Sequence, residues 1–301
     1  MRVLHLTIFL LLLLCTGAAA TDFMLVNVAP ADQAHMRRVL NQAATRLERL
    51  LEVDLPPEIT LVLIQTQAQY DSVAGGEMPE WGAAAAIPRR NLIVIRAPLM
   101  DNYPGNRENL LQHELAHIAL QHRVRFNRLP RFVEEGFAAW FAGEWGLNNL
   151  YAVAGAQFTN SLLPLRQIDD VNSFKHPEAR LAYSQSYLVV HFIFERFGEV
   201  GWLEYLDYVA QGASFEECWR SAFHLAFWEF EVEYKKFLSD NYSITAILSN
   251  MTGLWIILAI VVIAGFIMIK RRKQSVIDRW KEEEKYQSTD FDYDQDDSPW
   301  D

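Results

Sequence analysis

An α+β fold, with a small mixed sheet packed on a helical lobe, is what this chain predicts, and three observations predict it. Short β-rich runs occur early, at Ile59 to Gln65 and Asn91 to Ile95. A Gly- and Pro-containing segment, 75–90, separates them. Beyond it, apolar residues recur mainly at helical spacing, so strands come first and helices follow. A chain of 301 residues, 51% of them hydrophobic, can bury one full core.

In order, residues 1–20 hold Arg2, a leucine-rich run to Leu14 and Ala18-Ala19-Ala20, the pattern of a secretory signal peptide. Cys15 follows a leucine, which argues against lipid attachment there. Removal of this segment leaves Cys218 alone, so no intramolecular disulfide is expected, and Cys218 reads as a small buried hydrophobe. The domain then spans 21–245. Residues 31–53 make an amphipathic helix, with Met36, Val39, Leu40, Ala43, Leu47 and Leu50 on one face. The two strands follow, then a helix around residues 109–119 and a second at 129–143. The stretch 144–176 shows no clear period. Further helices are expected at 177–197, 199–211, 214–224 and 227–239.

Met251 to Ile269 is charge-free and apolar, about 28 Å of helix, which predicts a transmembrane helix over 248–270. Lys270-Arg271-Arg272-Lys273 follows, so the positive-inside rule places the charged tail, 271–301, in the cytoplasm. The expectation is a single-pass type I protein of the cell membrane. Its domain lies outside the cytoplasm, and it meets membrane lipid through that helix. The end of the tail alternates Asp with aromatic residues and predicts disorder. A net charge of −11 argues against nucleic acid as a partner.

Residues 113–117 read His-Glu-Leu-Ala-His. On a helix, His113 and His117 sit one turn apart on one face and can reach one metal ion. Glu114 is then placed to take a proton from a nearby water without being a ligand. A third ligand must lie downstream. The class that uses a further His preceded by Gly is excluded, because those positions are Arg123 and Leu120. The acids Glu134 and Glu135, inside the apolar run Phe132 to Phe141, are the alternative. Helix geometry lets only one of the two face the metal.

His-Glu-Leu-Ala-His, Leu-Pro-Arg-Phe-Val-Glu-Glu-Gly-Phe-Ala and Ala-Tyr-Ser-Gln-Ser-Tyr at 182–187 together resemble the peptidase MA-like gluzincins. These are relatives of thermolysin and of the aminopeptidase N family. The resemblance covers roughly residues 55–240. It implies a zinc metallopeptidase acting on a peptide or protein substrate, with Zn2+ held by His113, His117 and Glu135, the Glu before Gly. Glu114 would be the general base and Tyr183 the oxyanion donor. Tyr187 and His191 share the face of Tyr183 but read as an aromatic core stripe. Thermolysin-like sites carry an Asp four residues after the ligand Glu. Here that residue is Ala139, so the group that orients a histidine must come from elsewhere.

In that fold a strand along the cleft pairs with substrate, and Gly82, Ala83, Ala84 and Ala85, leading to Ile87, are the segment proposed here. The same residues also suit a turn or helix end. Aminopeptidase relatives anchor a free amine with an acid in this segment. Here it holds only Gly, Ala and Ile, with Glu77 and Glu80 upstream, which favours internal cleavage. A membrane-anchored zinc endopeptidase is the expected function. A catalytically inactive scaffold on the same fold, and a zinc hydrolase of non-peptide substrates, are the alternatives.

Overall fold

In a computed structural model, the structure describes residues 21–74, 83–100, 106–168, 176–250 and 252–286. The signal segment 1–20 and the tail from 287 lie outside the described residues. The chain divides into two compact units at Ile244/Thr245.

The first unit opens with a four-stranded sheet. Strands β1 (Asp22–Val26), β2 (Glu58–Ile64) and β4 (Leu92–Arg96) run parallel, and β3 (Ala84–Ile87) is antiparallel to β4 at the edge of the order β1-β2-β4-β3. A parallel pair needs a crossover. Between β1 and β2 it is α1 (Pro30–Leu51), which starts at a proline in its first turn and ends on Glu52 in the left-handed region. Its buried face includes Met36, Val39, Leu40, Ala43 and Leu47 of the expected amphipathic stripe, with Leu51 fully buried and Leu50 only partly so. Strand periodicity then divides the sheet. Ile59, Leu61, Leu63, Ile93 and Ile95 enter the main core, while Ile64, Leu92 and Val94 meet Tyr70 of α2 (Gln67–Ala74) on the opposite face.

After a short turn of helix, α3 (Ala97–Met100), comes α4 (Arg107–Arg123), capped by Asn106, whose side chain accepts from the Asn109 N–H at 2.8 Å. Residues on nearly all its sides are buried, because α1, α5 and β3 all pack against it. Helix α5 (Arg131–Ala142) follows, then α6 (Leu147–Phe158). The long α7 (His176–Ala210) is broken at Gly198, where φ is +69°, so the two helices expected either side of residue 198 are both present. Helices α8 (Phe215–Phe223) and α9 (Phe227–Tyr242) complete the lobe around Trp219, which lies among Phe215, Phe223, Phe227 and Phe230. Cys218 is buried and free.

Helices α2 and α3 are absent from the sequence reading, as are two elements with a plain physical reason. Strand β1 follows Ala20 at once, too short and too mixed to stand out from the preceding apolar segment. Helix α6 lies in the stretch that showed no period, because Leu147, Tyr151 and Phe158 face solvent and blur its amphipathic pattern.

The second unit holds most of α10 (Ile244–Asn250), and α11 (Thr252–Tyr286). Among the described residues no helix is long and apolar enough to cross a membrane, and the transmembrane helix expected over 248–270 includes Met251, which lies outside them.

The closest helix contact is α5 on α7. A Cβ built on Gly136 would lie 2.2 Å from the Ser186 carbonyl oxygen, so only glycine lets the two backbones meet. Gly136→Ala should therefore destabilise the domain by about 1–3 kcal/mol or more, since backbone must move. Gly155→Ala, with nothing within 4 Å on exposed α6, should be neutral or slightly stabilising. Urea melts of the two variants check this; equal stability would mean that α5 and α7 are not so closely packed.

Candidate metal centre

Helix α4 is amphipathic in an unusual sense: its apolar residues point into the core in most directions, and one stripe carries His113, Glu114 and His117. His113 and Glu114 are buried, and His117 nearly so. Helix α5 crosses this stripe. Its acid pair resolves by geometry: Glu135 Oε2 lies 3.6 Å from His113 Nε2 and 3.8 Å from His117 Nε2. Glu134 points to the other side of His117, its Oε1 3.8 Å from Nδ1 and accepting from Gln121 Nε2 at 2.8 Å.

These separations bear on a metal. Three ligand atoms of His113, His117 and Glu135 lie within 4.8 Å of one another. Distances of 3.6 and 3.8 Å are too long for hydrogen bonds. They are close to the edge of a tetrahedron with bonds of 2.0–2.1 Å, about 3.4 Å. The donor set agrees. Four carboxylates, Glu114, Glu134, Glu135 and Glu144, surround two imidazoles and Arg131, an excess of buried negative charge that a divalent cation would neutralise. The residues fit a divalent metal ion.

The electrostatics follow from this crowding. Burial acts to lower the His113 pKa, but the charge of Glu144 and the close approach of Glu135 and Glu144 outweigh it and raise it well above the usual value. Burial likewise opposes the charge on His117, and Glu134 and Glu135 overcome it. For Glu135 burial pushes the pKa up, yet the His113 contact, His117 and Arg131 pull it down to about 2. Glu114 goes the other way: burial dominates over the two histidines and its pKa is raised.

Two groups were not legible beforehand. Glu144 lies 3.2 Å from His113 Nδ1. It is the carboxylate that fixes this imidazole, the role for which Ala139 has no side chain. Gly143, at φ +73°, ends α5, and the Glu144 N–H returns to Ala139 O at 2.9 Å. That turn carries the carboxylate back toward α4, where Asn109 also bonds the Ala142 carbonyl. An acid directly after a helix-stop glycine, flanked by Phe141 and Trp145, was the available signal. The other group is Arg131, whose Nη2 lies 3.0 Å from Glu135 Oε1 and whose charge acts on the Tyr183 phenol. An Arg four residues before a Glu was its signal.

Tyr183, on α7, comes to the cluster: Glu135 and Glu114 both act on its phenol, which burial first of all and then Glu135 raise well above the ordinary value. Tyr187 and His191 do not join it. Tyr187 stacks on Trp145 at 5.0 Å, and His191 lies beside Tyr187 and Phe237. His122 faces Asn91 instead. Of the strand residues, Gly82 lies outside the described residues, as do Glu77 and Glu80. Ala83 leads into β3, and Ala84 and Ala85 form its start, half-buried, with β3 packed on α4. They are in a strand, not a turn or helix end.

The family model of the Peptidase MA superfamily matches residues 39–240, well over half of the chain. No curated protein matches it. The chain belongs to the Peptidase MA superfamily, a group of peptidases that are typically metal-dependent.

The geometry separates the acids by their expected effect on metal content. Glu135→Ala should lose most of any bound metal. Glu144→Ala should keep the site but bind about 10- to 100-fold more weakly, as expected when an imidazole loses its orienting partner. Glu134→Ala, with the longer contact, should change least. Metal analysis after dialysis, with chelator competition, ranks them; loss at position 134 equal to that at 135 would reverse the register.

Proposed function

We propose that this superfamily member is a membrane-anchored zinc endopeptidase that cuts extended peptide segments. The observation that carries the reading is the convergence of His113, His117 and Glu135, with Glu114 buried beside them and Tyr183 within their field. His113 Nε2, His117 Nε2 and Glu135 Oε2 would hold the ion, and two imidazoles with one carboxylate suit zinc. When bound, zinc would supply Lewis acidity that polarises the scissile carbonyl and acidifies a water beside it.

The chain's own groups do the rest. Glu114 accepts the proton of the attacking water and passes it to the departing nitrogen. Its raised pKa makes it a better base than an exposed carboxylate. Tyr183 stays protonated, because burial and the charge of Glu135 oppose its ionisation, and it donates to the oxyanion as that charge develops. Glu144 holds the His113 ring in the orientation that turns Nε2 to the cluster.

Substrate backbone would be taken by β3. This strand pairs with β4 on one side and ends the sheet, so its other edge has no strand partner among the described residues. The small side chains of Ala84 and Ala86 let an extended peptide come close. Ala83 to Ile87 carries no carboxylate to pair with a free amine, which supports internal cleavage over stepwise trimming. The sequence supports anchoring: with Met251 to Leu254 included, the apolar run is long enough to span, and the basic residues after it favour a cytoplasmic tail.

Glu114→Gln should abolish turnover while leaving zinc stoichiometry unchanged. Wild-type protein should cleave an amino-blocked peptide and its free-amine twin at the same internal bond, read by mass spectrometry. One-by-one trimming of the free-amine peptide alone would point to an aminopeptidase. For topology, protease added to intact cells or spheroplasts should digest residues 21–245 and spare an epitope on the tail; a protected domain would overturn the type I arrangement.

A further inference from the structure

We propose that Arg131 is a positioning residue that fixes Glu135 and Tyr183 relative to each other. The inference rests on the metallopeptidase reading of the site. Arg131 stands in the first turn of α5, one turn before Glu135. Its Nη2 donates to Glu135 Oε1 at 3.0 Å, while the other oxygen of the same carboxylate, Oε2, faces both histidine Nε2 atoms. The two oxygens of Glu135 are thus given separate partners. Rotation of the carboxylate to present both oxygens to the cluster would break the Arg131 bond, so Glu135 would offer a bound metal one oxygen.

The same guanidinium acts electrostatically on the phenol of Tyr183, which comes from α7. A guanidinium carries donors only, so toward it the phenol oxygen can only accept. The phenol proton is then left to point away from Arg131. A planar fork with several N–H groups can serve a carboxylate and a phenol at a fixed spacing, whereas an ammonium offers no such fixed geometry. Arg131 thereby joins the α5 ligand to the α7 donor across the interface that Gly136 closes.

The test uses the full-length protein, loaded with Zn2+ for kinetics and with Co2+ for spectroscopy. Arg131→Met should lower kcat about 10- to 100-fold with KM changed less than about threefold, the usual scale for loss of an orienting partner. Its Co2+ form should show weaker visible absorption than wild type, as the freed carboxylate raises the coordination number. In a Tyr183→Phe background the same substitution should cost markedly less, because one of its two dependants is already gone. Arg131→Lys should keep the wild-type Co2+ spectrum but lose part of kcat, and it guards against misfolding of the methionine variant. Its partly exposed first-turn position makes either change tolerable, which thermal melts verify. A wild-type Co2+ spectrum and kcat in a folded Arg131→Met would overturn the proposal and leave the site reading standing. Failure of the wild type to take up Zn2+ or Co2+ would overturn both.

Discussion

Buried charge is the constraint on which this domain turns. His113, Glu114 and Glu135 are each less than a tenth exposed. An ion taken from water into such a place costs several kcal/mol unless partners compensate. The fold answers by arranging α4 and α5 so that each ionisable group meets others of opposite sign: Glu135 meets two imidazoles and Arg131, His113 meets Glu144, and His117 meets Glu134. Much of the packing serves that arrangement. The sheet and α1 support one side of α4, and α7 presses α5 from the other through a contact only Gly136 allows.

What the sequence revealed follows the same physics. Spacing alone places His113 and His117 on one helix face, and the structure puts them there, ring centroids 4.9 Å apart. Apolar periodicity found α1 and the helix after Gly198, because each has one dry face. Helix geometry could say that only one of Glu134 and Glu135 turns toward the histidines, but not which. That choice depends on how α5 crosses α4, a tertiary property.

Glu144 and Arg131 were missed for related reasons. Glu144 reaches His113 only because Gly143 reverses the chain, and no period survives a left-handed turn. Arg131 looks like half of a solvated ion pair until α7 brings Tyr183 beside it. Helix α6 was invisible because its large apolar residues face outward, against the rule by which amphipathic helices are recognised.

One feature of the layout separates holding an ion from reacting with it. His113, His117, Glu134, Glu135 and Glu144 all lie on α4, α5 and the turn that follows, two consecutive helices joined by a short connection. Little loop-closure entropy opposes their meeting. Tyr183 arrives from far along the chain, and only when α7 has docked on α5. In the proposed mechanism, a half-folded chain can therefore carry the local cluster while its oxyanion donor is still absent.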